Sequence, residues 1–269
     1  MHLNFDFSAV QILWTLTFAG LLVLLVVLLG RDRARLYPWF TASMVFTAVR
    51  LLASRMLYGR MAPITSSKIF LSLAVVASVV GFLVIVELGR SAFARASRRT
   101  VIVGILMAAV ICALILANWG GWPSWKTLTA DSTLATLRLM QLVTQKIDLL
   151  NQVLAVVLGL AVVLFGRRFH AGFRSHTQQI VIGLSTSAIA QMAVRGIWQL
   201  IAMHAAPQSE AEYEKIMGLQ EKLYNGSSVV LVLVIVWWIV CLWINEPGSD
   251  PAAANPQPAT PEPAPEPQA

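Results

Sequence analysis

The sequence predicts an all-α polytopic membrane protein, a seven-helix transmembrane bundle with its N-terminus out and its C-terminus in. Three observations predict it. First, 57% of the 269 residues are hydrophobic and 12% are charged, against roughly a quarter charged in soluble domains; the mean hydropathy is +0.71. Second, the apolar residues gather into seven runs, near 9–30, 38–58, 69–89, 101–118, 145–165, 179–203 and 223–244, each close to the length that crosses a bilayer core. Third, basic charge alternates between loops. The loops after runs 1, 3 and 5 carry Arg31, Arg33, Arg35, Arg90, Arg95, Arg98, Arg99, Arg167, Arg168 and Arg174, whereas the opposite side carries Arg60, Lys68, Lys126 and Lys215. Lys and Arg resist translocation, which assigns the arginine-rich loops to the cytoplasm.

Met1 to Ser8 lacks the basic stretch of a secretory signal, so the first run is expected to be retained. In the third run, Glu87 stands three residues before Arg90 and reads as a local helix-end pair. The fourth run leads into Trp119, Trp122 and Trp125, which read as interfacial anchors, with a ligand lid as the alternative. The fifth is amphipathic: Arg138, Gln141, Gln145, Asp148 and Gln152 recur three or four residues apart and share one face, widened by Thr144 and Asn151. Its helix is expected to begin near an Asp131 N-cap and to run about 50 Å. The seventh is expected to begin well before its apolar part, because Ser209 and Glu212 have capping-box spacing. Its acidic extension, with Glu210, Glu212, Glu214 and Glu221, is expected to face Arg138 and Lys146.

These runs make a transmembrane domain over 1–245. Residues 246–269 are rich in proline and acidic residues and free of aromatics, and are expected to form a disordered cytoplasmic tail. Runs 1 and 5 end alike, Leu28-Leu29-Gly30-Arg31 and Leu164-Phe165-Gly166-Arg167. Runs 2 and 6 share Ala48-Val49-Arg50 and Ala193-Val194-Arg195. That order suggests a 3+1+3 parallel repeat with the fourth run as linker.

Of the three arginines inside runs, Arg50, Arg55 and Arg195, the first and the last cannot easily be left facing lipid. A central Arg costs at least about 2.5–3.5 kcal/mol even on permissive insertion scales, so each should face the bundle, water or a carboxylate. Asp148 and Glu221 are the acids available. One reading is that these groups merely pair helices. The sharper one is an outward-facing polar pocket of Arg50, Gln145, Asp148, Gln152, Arg195, Glu221 and Asn225, which takes a small polar or anionic ligand from outside. Arg55 is near enough to the outer interface to snorkel.

Other chemistries lack their residues. His170 and His176 flank an inner loop while His2 and His204 lie near the outer face, and Cys112 and Cys241 are solitary, so neither a metal nor a cofactor is expected. A retinal Schiff base needs a central lysine in the last helix, and Lys222 lies at its outer margin. No nucleophile neighbours a base and no glycine-rich phosphate loop occurs, so no enzyme is expected. The net charge of +7 is assigned to contacts between the inner loops and anionic membrane lipid, with no nucleic-acid partner. Short inner loops and a small tail leave no room for an output domain. A signalling role therefore requires a separate cytoplasmic protein partner at the arginine-rich loops.

Tyr37-Pro38-Trp39-Phe40, Arg50, and Gly81-Phe82-Leu83-Val84-Ile85-Val86-Glu87 ahead of an arginine-rich loop resemble an uncharacterised family of bacterial seven-helix membrane proteins, over residues 37 to 100; the family pattern has Tyr where this chain has Val86. The resemblance implies a bacterial cytoplasmic (inner) membrane and carries no known activity. The sequence is thus read as a sensor-like or ligand-binding bundle acting through a cytoplasmic partner. The alternative is a small-solute transporter, which would need polar residues such as Ser72, Ser78, Ser185, Thr186 and Ser187 to line an inner half.

Overall fold

Seven helices long and apolar enough to cross a membrane form the computed structural model, which describes residues 8–57, 62–94, 96–119, 133–165, 175–204 and 209–244. They are α1 (Ala9–Gly30), α3 (Pro38–Leu57), α4 (Pro63–Ala92), α5 (Arg98–Asn118), α6 (Thr133–Phe165), α7 (His176–His204) and α8 (Glu210–Trp243), with a short α2 (Arg33–Leu36) after α1. Among the described residues there is no strand. Helix α6 runs 33 residues and α8 runs 34, each about 50 Å at 1.5 Å per residue, well beyond a hydrocarbon core about 30 Å thick. The Asp131 cap and the tail lie outside the described residues.

Three helix starts are set by their own cap residues. The Ser8, Ser97 and Ser209 hydroxyls accept from the backbone N–H groups of Gln11, Thr100 and Glu212, each at 3.3 Å, which satisfies donors that a first turn leaves free. The Ser209–Glu212 spacing thus acts as the sequence predicts. Helix α3 begins at Pro38 and is capped from another helix. Glu87 of α4 accepts from the N–H of Trp39 at 3.1 Å and of Phe40 at 2.9 Å. The local pair with Arg90 expected from spacing is therefore replaced by a tie between helices. A carboxylate there also lies at the positive end of the α3 dipole.

Around the bundle, α1 packs on α3, α3 on α4, α4 on α6, α6 on α7, α7 on α8, and α8 returns to α1; α5 packs on α6 from outside this ring of six. Paired residues give the directions. Ile235 lies against Gly20 and Trp243 against Arg31, while Asn151 lies against Gly81 and Leu158 against Gly89, so α8 runs parallel to α1 and α6 parallel to α4. Phe40 beside Glu87, Gln152 beside Gln191, and Gly183 beside Trp238 make α3–α4, α6–α7 and α7–α8 antiparallel.

Two glycines permit the closest approaches. A Cβ on Gly183 would run into the Trp238 indole, and one on Gly159 would strike the Ser185 hydroxyl, which reaches across to the Ala155 carbonyl at 2.7 Å. The main core includes Leu24, Leu28, Phe40, Leu88, Ile180, Ile235 and Leu242, all fully enclosed, with Phe40 edge-on to Trp238 at 5.1 Å. Outward faces carry large apolar residues such as Val26, Met107 and Leu164. In a soluble protein such an apolar exterior would be a liability; in lipid it is the solvent-facing side.

Substituting Gly183→Ala should lower the melting temperature through overpacking worth about 1–3 kcal/mol, while Gly104→Ala, with nothing near it, should leave it unchanged or raise it slightly. Equal shifts in detergent melts would contradict the close α7–α8 approach. Replacing Glu87 with Ala strands two backbone donors and should cost about 1–3 kcal/mol. An unchanged melt would show that α3 does not depend on this cap.

Candidate functional site

Ser78 of α4 is 2% exposed and sits midway along its helix, about 22 Å from either end. Buried there, its hydroxyl needs a protein partner. It donates to Asp148 Oδ1 of α6 at 2.6 Å, and its carbonyl accepts from Asn151 Nδ2 at 2.7 Å. The second Asp148 oxygen faces Arg195 Nη2 of α7 at 3.7 Å. One turn deeper, Gln152 Nε2 donates to Gln191 Oε1 at 2.9 Å. Three helices are therefore joined by one polar layer in the half of the bundle away from the arginine-rich loops.

The layer is graded. Gln152 is 7% exposed, while the Arg195 and Asp148 side chains are 32% and 36% exposed. The charged pair thus forms the open edge and the amides the floor. At 3.7 Å the guanidinium is held by charge and not by a short hydrogen bond, which leaves its N–H donors available to another acceptor.

Of the seven residues expected in a pocket, the structure brings Asp148, Gln152 and Arg195 together. Gln145 lies on α6 one turn further from the arginine-rich end and is exposed. Asn225 of α8 is half-buried. The antiparallel register set by Gly183 against Trp238 and by Gln179 Oε1, 3.7 Å from Cys241 Sγ, places residues 225 and 226 level with Arg195. Glu221 is a turn further out and exposed. Arg50 is exposed on α3, whose chief neighbours are α1 and α4, and so it stands away from the α6–α7 seam. Ser78 and Gln191 complete the layer. Each is a lone polar residue in an apolar run, and nothing in the sequence shows what it faces.

Lys146 has a different role from the one expected. Its Nζ donates to the Leu116 carbonyl at 3.3 Å and to that of Trp119, so it caps the C-terminus of α5, where a cation is favoured. The acidic extension of α8 is not its hydrogen-bonding partner in these contacts. Trp119, carried on the capped end, lays its ring against Gly196, next to Arg195, at 3.5 Å from where a Cβ would stand. It covers the α6–α7 seam beside the charged pair. Trp122 and Trp125 lie outside the described residues.

A second polar layer occupies the arginine-rich end. Thr177 Oγ1 is hydrogen-bonded to Tyr37 Oη at 2.8 Å and to Ser91 Oγ at 3.0 Å, with His176 and Gln178 buried alongside it in sequence. Between the layers lie Val84, Ile85 and Leu88 of α4, Val162 of α6, and Val181 and Ala188 of α7, all buried. Thr177 and Gln191 are about 21 Å apart along α7. The described His, Cys, Asp and Glu residues include no group of three that could hold a metal ion.

No family model matches the chain, and no curated protein or solved structure matches it either. The bacterial family suggested by residues 37 to 100 thus gains no support from these comparisons, and the site must be interpreted from its own geometry.

A double-mutant cycle on Gln152→Leu and Gln191→Leu should return a coupling of about 0.6–1.7 kcal/mol, the range measured for interhelical hydrogen bonds in lipid. Arg50→Gln should show no coupling to either. Additive Gln152 and Gln191 effects would separate the two amides.

Proposed function

We propose that this multi-pass protein binds a small polar or anionic solute at the α4–α6–α7 layer, reached from outside, and acts through a cytoplasmic protein at the arginine-rich loops. The observation that carries the reading is Arg195: an intramembrane guanidinium, one-third exposed, held beside Asp148 at 3.7 Å above the buried Gln152 and the half-buried Asn151 and Gln191. Maintaining an ionised group at this depth is expensive, and such groups mark ligand or ion sites. Arg31, Arg33, Arg35, Arg90, Arg98 and Arg99 share one end of the bundle, which supports placing that end in the cytoplasm of a bacterial inner membrane. The tail would then be cytoplasmic too. The reading requires no cofactor and no covalent chemistry.

Transport is the second reading, favoured by the ring. Exchanging α1, α3 and α4 for α6, α7 and α8 maps each neighbour in the ring of six onto a neighbour, although the α4–α7 contact across the ring has no α3–α8 counterpart of the same size; a 3+1+3 parallel repeat with α5 as linker would have such a ring. The apolar layer of Val84, Leu88, Val162 and Val181 would have to part for a solute to cross. In the structure it is closed over, which favours binding as the primary role.

A thermal-shift screen of the detergent-purified chain against small polar and anionic solutes tests the proposal. A true ligand should stabilise by about 2.7 kcal/mol at a hundredfold excess over its Kd. Arg195→Ala should abolish the shift and Arg50→Ala should keep it. Loss in both variants, or in neither, would contradict the site. Flux into sealed vesicles containing the pure protein distinguishes the two readings, since binding without transport gives none.

A further inference from the structure

Two oxygens in the floor of the polar layer accept no hydrogen bond: Asn151 Oδ1 and Gln152 Oε1, both enclosed by protein. Buried acceptors are nearly always satisfied, by protein, by ordered water or by a ligand. The amide of Asn151 cannot simply be turned round, because its nitrogen is held by a carbonyl, that of Ser78, which only accepts. Its free atom is therefore an acceptor. The Gln152 amide is 7% exposed and, with its nitrogen on the Gln191 oxygen, presents Oε1 as its unfilled atom; turning both amides round would present the nitrogen instead. Both oxygens lie on the α6 face that carries Asp148, and that face meets α4 through Ser78 and α7 through Gln191 and Arg195.

The layer thus offers a carboxylate and two unfilled amide oxygens on one side and a partly free guanidinium on the other. A simple anion would satisfy Arg195 and leave the three oxygens unserved. A bare cation would meet the oxygens but compete with Arg195 for Asp148. An ordered water would serve the amide oxygens and leave Arg195 as it stands, whereas a solute with both ends serves all of these groups, and an unpaired buried polar atom costs free energy whichever partner is missing.

We infer that the solute is dipolar: a small zwitterion whose ammonium donates to Asp148, Asn151 Oδ1 and Gln152 Oε1 and whose carboxylate accepts from Arg195. This rests on the solute-binding reading above and adds the donor end, which recognition by Arg195 alone does not require. Discrimination follows from the same geometry, because a site built around hydrogen-bond groups rejects analogues that lack them more strongly than an apolar pocket does.

The test uses three probes on the full chain in detergent: glycine, acetate and methylammonium, followed by thermal shift. Glycine should bind at least about tenfold more tightly than either half-molecule, one charged hydrogen bond being worth that much. Gln152→Leu should lose most of the glycine shift, while Gln152→Glu, which keeps an acceptor, should retain it. Asn151→Leu provides an independent check, with unliganded helical content confirming that each variant folds. If acetate matches glycine and Gln152→Leu leaves both unchanged, the donor end is refuted while the Arg195 reading survives. Stabilisation by sodium chloride over choline chloride, with no response to glycine, would assign the oxygens to a metal ion and overturn the inference. Absence of any shift with all three probes would overturn it too, and a negative broad screen would take the solute-binding reading with it.

Discussion

The Asp148 carboxylate is tied to two other helices at once, through Ser78 on α4 and Arg195 on α7. In water such ties are weak, because solvent competes for every partner. Within a bilayer the competition is removed, and a polar group left facing lipid costs several kcal/mol, so the helices must supply partners to one another. That requirement sets the rotation of α6. Once Asp148, Asn151 and Gln152 face α4 and α7, Leu160, Val163 and Leu164 are left on the outside. Small residues then settle how near the helices come, with Gly159 admitting Ser185 and Gly81 admitting the Asn151 amide.

The opposite end is secured by different means. Glu87 holds the start of α3, and Thr177 joins Tyr37 to Ser91, so α3, α4 and α7 converge where the arginine-rich loops emerge. Helix α7 carries a member of each polar layer, Thr177 at one end and Arg195 towards the other, with Ile180, Val181, Ala188 and the Ser185 hydroxyl buried between them. A solute that drew Arg195 away from Asp148 would act on the same helix that anchors the loops. Occupancy could alter the loop end only to the extent that the solute binds one α7 position better than another.

Much of the architecture was legible in the sequence. The seven spans are set by composition, since about 20 apolar residues suit one environment only, and Ala9–Gly30 matches its predicted run. The polar face of α6 followed from three- and four-residue spacing, and the Ser209 cap from a local motif. What could not be read was which faces meet. Arg50 and Arg195 have the same Ala-Val-Arg setting and the same intramembrane cost, yet α3 turns Arg50 outward and α7 turns Arg195 to Asp148. Glu87 looked like a partner for Arg90 because spacing reports only neighbours along one helix. Its true contacts, Trp39 and Phe40, are nearly fifty residues away. For Lys146, charge pointed to the acidic end of α8, and spacing gave no sign of the open carbonyls at the end of α5 to which it donates.

Access to the polar layer from one side of the membrane is the claim on which the account turns. The most direct measurement is labelling of Gln191→Cys, in a chain with Cys112→Ala and Cys241→Ala, by a membrane-impermeant maleimide added to intact cells or to inverted vesicles. The account predicts modification from the outer side and protection from the arginine-rich side, where the Val84, Leu88, Val162 and Val181 layer intervenes. Modification only from the arginine-rich side, or from neither, would contradict it.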